Sequence, residues 1–137
     1  MTLKAISVEK DIDDVLYKEI MDKAKLCDVI AFDEAQFFNR KIVDITKELA
    51  YRGKMVFLAG LNLDYRGEPF GYMGDLMAMA DELVLLTAMC ACCGRPAIFT
   101  QRLINGKPAK QGPVELVGDT EVYEPRCRLC FVPPEKA

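Results

Sequence analysis

Two groups of residues in this sequence have types and spacings that can do chemistry. Residues 29–38 read VIAFDEAQFF, four apolar residues running straight into the adjacent carboxylates Asp33 and Glu34. Four of the six cysteines form two C-x-x-C pairs, Cys90/Cys93 and Cys127/Cys130, with residues 94–126 between them. An apolar strand that ends in Asp-Glu has the shape of a Walker B element. One acid can hold Mg²⁺ directly or through water, and the other can accept a proton from an attacking hydroxyl. For this stretch in isolation, a solvated Asp that caps the following turn is as good a reading. Two C-x-x-C knuckles can present four thiolates tetrahedrally, which suits Zn²⁺ in a closed structural site better than iron, a disulfide or free thiols. The chain has no histidine, so any general base must be a carboxylate, Lys, Tyr or Cys. Cys92 lies inside the first knuckle as an alternative ligand, and Cys27 reads as a small core hydrophobe before a strand.

The partner of a Walker B acid is G-x-x-x-x-G-K-[ST]. Gly53-Lys54 lacks the upstream glycine and is followed by Met55, and Gly106-Lys107 is followed by Pro108. Neither opens a helix after a strand. The 137 residues carry a net charge of −3 with mixed signs, which gives no basic stripe for nucleic acid. No apolar run is long enough to span a bilayer, and residues 1–14 do not have the form of a signal peptide.

The elements that must position these groups alternate. Residues 3–8 read as a short strand. Residues 9–26 read as a helix with Ile12, Val15, Leu16 and Ile20 on one face. Val29–Phe32 is apolar at every position, which predicts a parallel strand covered on both faces. A helix follows over 39–52, with Asn39 as N-cap, Gly53 past its end, and Ile42, Ile45 and Leu49 inward. Residues 54–61 predict another strand, 72–80 a helix, and 83–89 a further buried strand. This alternation implies parallel α/β architecture. The character changes near residue 89. Beyond it come short strands, an Asn105-Gly106 hairpin turn and the paired cysteines. The span 101–124 reads as a long loop closed by the metal, with Val114–Val117 as a strand and Gly118 allowing close backbone approach.

FDEAQFF, the stretch LNLDYRGEPFG, LTAMCACCGRPAIFTQRLINGKPA and YEPRCRLC, in this order and spacing, resemble the cellular-type, zinc-containing, tetrameric thymidine kinases across nearly the whole chain. The resemblance implies a P-loop NTPase-like parallel sheet, incomplete here, over residues 1–89, and a small zinc-bound lasso domain over 90–137. It implies transfer of the ATP γ-phosphoryl group to the 5′-hydroxyl of thymidine or deoxyuridine, with Mg²⁺. By the resemblance Glu34 is the general base and Asp33 the acid near Mg²⁺. Phe37 and Leu61 pack the nucleoside pocket, Tyr65 stacks on the base, and Thr100 lines the space near the thymine methyl. Val114, Leu116, Val117 and Gly118 give backbone contacts to the base, and Tyr123 a side-chain contact. Cys90, Cys93, Cys127 and Cys130 hold zinc. Feedback inhibition by thymidine triphosphate, a homotetramer and a cytoplasmic location are further implications.

The family carries its P-loop and central strand in an N-terminal segment that precedes the part matched here. The resemblance thus implies the nucleoside half of a site with most of the ATP half missing. Negligible kinase activity and poor stability are expected of this polypeptide as given. The alternative is a non-catalytic zinc-ribbon binding or regulatory module. Against it, residues 90–137 nearly balance their charges and contain no Trp, leaving little for phosphate binding or base stacking.

Overall fold

A polar cap, rather than the apolar pattern alone, sets where the first helix begins. In the computed structural model, which describes residues 5–114 and 121–137, helix α1 runs Asp14–Ala24. The Asp13 carboxylate caps it by accepting the Leu16 amide at 2.8 Å, satisfying one orphan donor of the first turn. The helix expected over 9–26 is therefore shorter. Ile12 is buried ahead of the cap, while Val15 is 76% exposed, off the inner face. Strand β1, Val29–Phe32, leads through a 3₁₀ turn, Ala35–Phe37, into helix α2, Lys41–Tyr51. Asn39 accepts the Lys41 amide at 3.2 Å and donates its own amide to the Ile12 carbonyl at 3.0 Å. Strand β2 is Met55–Leu58 and helix α3 is Met73–Met79.

The molecule divides into two compact units: Met1–Leu61 with Gly71–Met79, and Asn62–Phe70 with Ala80–Ala137. In the first, β1 and β2 pair in parallel, Val29 opposite Met55 through Phe32 opposite Leu58. Ile42, Ile45 and Leu49 of α2 are fully buried with Met21, Ala24, Phe32, Met73 and Leu76. Ile30, Val56 and Leu58 pack on this cluster, while Val29, Met55 and Phe57 are each more than half exposed. Coverage of both sheet faces, as the unbroken apolar strand predicted, does not hold among the described residues. The helices of this unit lie on one face only. Residues 5–8 form no ladder, and residues 3–4 of the strand expected there lie outside the described residues.

Polar contacts tie α1 to α2: Lys41 donates to Asp14, and Tyr17 bonds Glu48. The Tyr17 hydroxyl donates to Glu48 Oε2 at 2.5 Å. Burial, and then this bond to a carboxylate, pushes the Tyr17 pKa up to about 12; the same bond holds Glu48 below its ordinary value. A raised pKa contributes stability that is complete below about pH 10, the tyrosine reference value, and is lost as pH climbs toward 12. The depressed Glu48 contributes above the ordinary carboxylate range and is lost as pH falls through its folded value. Tyr17→Phe should lower the urea midpoint at neutral pH, and the gap to wild type should close between pH 10 and 12. Parallel curves across that window would dismiss the coupling.

The second unit is antiparallel. Strand β3, Ala88–Met89, pairs with β4, Pro96–Ala97. Strand β5, Phe99–Ile104, lies between β6, Lys107–Pro108, and β7, Glu121–Arg126. Asn105 and Gly106 have φ of +50° and +75°, the left-handed pair that a two-residue hairpin requires. The buried strand expected over 83–89 is not formed: only Ala88–Met89 pairs, and Leu83, Val84, Leu85 and Leu86 are exposed. An apolar run becomes a strand only where an edge accepts its hydrogen bonds, and residues 83–87 pair with none of the described strands. Among the described residues, no helix is long and apolar enough to cross a membrane.

Candidate functional site

The acidic pair sits on a strained turn that one buried amide holds. The Asp33 carboxylate accepts the amide of its neighbour Glu34 at 2.9 Å, and the 3₁₀ turn that follows has no side-chain cap. Glu34 is left-handed, with φ of +52°, a conformation costing about 1 kcal/mol for a residue with a Cβ. Both acids are exposed. Gln36 is 3% exposed. Its Nε2 donates to Glu34 Oε2 at 2.5 Å, and its Oε1 accepts the Leu61 amide at 3.1 Å. Space around Gln36 is reserved by two glycines. A Cβ on Gly60 would lie 2.4 Å from Gln36 Oε1, and one on Gly71 2.3 Å from the Gln36 carbonyl oxygen. Phe37, half-buried beside this turn, carries the Lys10 ammonium 4.4 Å over its ring. Asp33, Glu34, Phe37 and Leu61 thus share one unit, with Gln36 linking the acid to the Leu61 backbone.

The remaining predicted residues lie in the second unit. Tyr65 follows a turn closed by buried Asp64, whose carboxylate accepts the Arg66 amide at 2.8 Å and Arg66 Nη2 at 2.6 Å. The Tyr65 hydroxyl donates to the Gly112 carbonyl at 2.8 Å and accepts the Gly112 amide at 2.9 Å. Its ring is 3% exposed, with the Arg102 guanidinium 3.7 Å above its centroid. Thr100 is half-buried on β5 opposite Pro125. Tyr123 stands opposite Arg102 on β7. Val114 is half-buried and gives its carbonyl to Arg102. Leu116, Val117 and Gly118 lie outside the described residues, as does most of the strand expected at 114–117.

The four paired cysteines converge. Their Sγ atoms all lie within 4.8 Å of one another, with Cys93 and Cys127 at 3.5 Å. A tetrahedral Zn²⁺ with bonds of about 2.3 Å requires sulfurs about 3.8 Å apart, so the donor set fits a closed four-thiolate site. The knuckle turns are formed: the Gly94 amide reaches the Cys90 carbonyl at 2.9 Å and the Cys130 amide the Cys127 carbonyl at 3.1 Å. Gly94 takes φ of +71°. Burial works to raise the Cys90 thiol, yet nearby backbone amides bring it down to about 6. Its neighbours Cys127 and Cys93 push Cys130 up to about 12. Amides favour thiolate here, but four sulfurs so close cannot all ionise unless a cation neutralises them. Cys92 is exposed and outside the cluster. Cys27 is also exposed, its thiol 3.8 Å from the Lys23 carbonyl; the core position expected for it is wrong, because α1 ends before it.

Gln36 and Arg102 escaped the sequence reading. The available signal was an uncharged polar residue set between Ala35 and Phe37 in FDEAQFF, and a single charge in the strand stretch IFTQRLI.

A sequence profile described as "Thymidine kinase" matches residues 1–131. A thymidine kinase of Coprothermobacter proteolyticus is 50% identical over 120 residues, which cover 87% of this chain and 61% of that relative. The chain thus spans about three-fifths of the length of the relative it matches.

Proposed function

Because this chain belongs to the thymidine kinase family, we propose that it supplies the nucleoside-accepting part of an enzyme moving the ATP γ-phosphoryl group to the 5′-hydroxyl of thymidine or deoxyuridine. The observation that carries the reading is the Glu34 turn. A carboxylate on the carboxyl end of a parallel strand, clamped by a buried amide, is placed as a general base should be. Glu34 takes the proton of the 5′-hydroxyl as its oxygen attacks the γ-phosphorus, and the bond from that phosphorus to the β–γ bridging oxygen breaks to release ADP. Asp33 would hold Mg²⁺ directly or through water, and the ion would neutralise charge developing on the phosphates. The sheet carrying this turn is P-loop NTPase-like. Phe37 and Leu61 pack against the nucleoside; Thr100, Val114 and Tyr123, with Leu116, Val117 and Gly118, recognise the base, while Tyr65, its ring covered by Arg102, supports them through Gly112. Residues 1–89 serve phosphoryl transfer and residues 90–137 form the lasso.

The cysteine cluster holds zinc in a structural role. A homotetramer, feedback inhibition by thymidine triphosphate and a cytoplasmic setting belong to the same reading.

Calorimetry with thymidine tests it without depending on phosphate binding. Saturable binding is expected. Alongside it, in a protein where this chain is joined to an ATP-binding segment and transfers phosphate, Glu34→Gln should keep thymidine affinity while lowering transfer from ATP by about 10²–10⁴-fold, the usual contribution of a general base. A wild-type protein that binds no thymidine, or a Glu34→Gln protein that transfers at the wild-type rate, overturns the assignment.

A further inference from the structure

Among the described residues, Arg102 is the largest side chain that is fully buried, at 1% exposure. Burying a guanidinium is costly unless its donors and charge are matched. Among the described residues it has no ion-pair partner. Its donors go instead to the loop. Nη1 donates to the Pro113 carbonyl at 2.7 Å, Nη2 to the Val114 carbonyl at 2.6 Å, and Nε to the Tyr123 hydroxyl at 3.0 Å. Its charge lies 3.7 Å over the Tyr65 ring and 5.5 Å over that of Tyr123, where the ring quadrupoles attract a cation. Tyr65 in turn clasps Gly112 through both its amide and its carbonyl. Four residues from three chain segments thus meet at one planar fork.

We infer that Arg102 is the positioning residue of the base-recognising loop: it fixes the Pro113–Val114 backbone and orients Tyr65 and Tyr123 around it. This inference rests on the nucleoside-kinase reading. Only a planar guanidinium offers donors in a fixed fork that can span two successive carbonyls and a hydroxyl while lying flat on a ring. Lysine, a point charge on a flexible stem, serves one carbonyl at a time. Removing the fork leaves two carbonyls unpaired and lets the backbone that carries them move.

Arg102→Met, Arg102→Lys and the milder Tyr123→Phe would be compared with wild type in three measurements: zinc content, backbone amide exchange over 109–114 and 121–126, and thymidine affinity. All variants should retain full zinc. Arg102→Met should speed exchange in both segments and weaken thymidine binding by at least about tenfold, which corresponds to 1.4 kcal/mol. Arg102→Lys should fail to restore either. Tyr123→Phe, which keeps the ring and loses one acceptor, should show a smaller shift in the same direction. Unchanged exchange in Arg102→Met overturns the inference, as does faster exchange with unchanged thymidine affinity. Should Arg102→Met not fold, Tyr123→Phe decides by the same two readouts. Should wild type bind no thymidine, the nucleoside reading fails, and the inference that Arg102 positions a base-recognising loop falls with it.

Discussion

Cys93→Ser is expected to abolish metal binding and to disorder both knuckles with strands β3 and β4, while Cys92→Ser, one residue away, leaves both intact. The reason is the composition of the local core. The buried cluster here is Cys90, Ala97 and Cys127, with Cys130 packed against it. The ligands are themselves most of the core, and β3 and β4 have only two residues each. Little apolar surface remains to hold these turns once the sulfurs cease to converge. Metal binding and folding are therefore one process in this part of the chain. Adding a strong chelator to wild type should reproduce the Cys93→Ser state. A metal indicator should read about one zinc per chain for wild type and Cys92→Ser, and close to none for Cys93→Ser, as expected for a four-thiolate site. Amide exchange over 88–97 should rise in step. Retention of zinc by Cys93→Ser, or its loss in Cys92→Ser, would assign the ligands differently.

Gly71→Ala should destabilise the first unit by about 3–4 kcal/mol, the sum of overpacking and a left-handed alanine. The Cβ would stand 2.3 Å from the Gln36 carbonyl oxygen, with φ at +53°. That neighbour is backbone and cannot swing aside as a side-chain end can. The Gln36 backbone would have to shift, and the amide that holds Glu34 and Leu61 would shift with it. Gly53→Ala is the control. It has a similar φ of +76° but nothing within 4 Å of the added Cβ, so only the conformational cost of about 1 kcal/mol applies. Urea unfolding of both variants separates clash from conformation. Equal losses would mean the space around Gln36 is not tight. The same Gly71→Ala protein should show a weakened Glu34 site even where it remains folded, because Gln36 Nε2 would no longer meet the carboxylate at 2.5 Å.

Local chemistry was legible in the residues themselves. Val29–Phe32 reads as a strand because four successive apolar residues end at two acids, and the strand has these bounds. Ile42, Ile45 and Leu49 announce the inner face of α2 by their spacing, and each is buried. Asn105-Gly106 can hardly be anything but a hairpin turn, since both residues tolerate positive φ. The two C-x-x-C pairs foretell a converged cluster because each knuckle is a local turn that orients its sulfurs. These features depend on neighbours within a few positions in the chain.

What tertiary structure alone decided involves partners far apart in sequence. Leu83–Leu86 is apolar enough for a strand, yet it forms none without a pairing edge. Phe57 belongs to an unbroken apolar strand, yet it is exposed because the helices of its unit cover the other face. Gln36 matters through Leu61, Gly60 and Gly71, and Arg102 through Tyr65, Pro113, Val114 and Tyr123. A sequence states which groups are available. Which of them meet depends on how the chain closes, because hydrogen bonds and packing act only over a few ångströms.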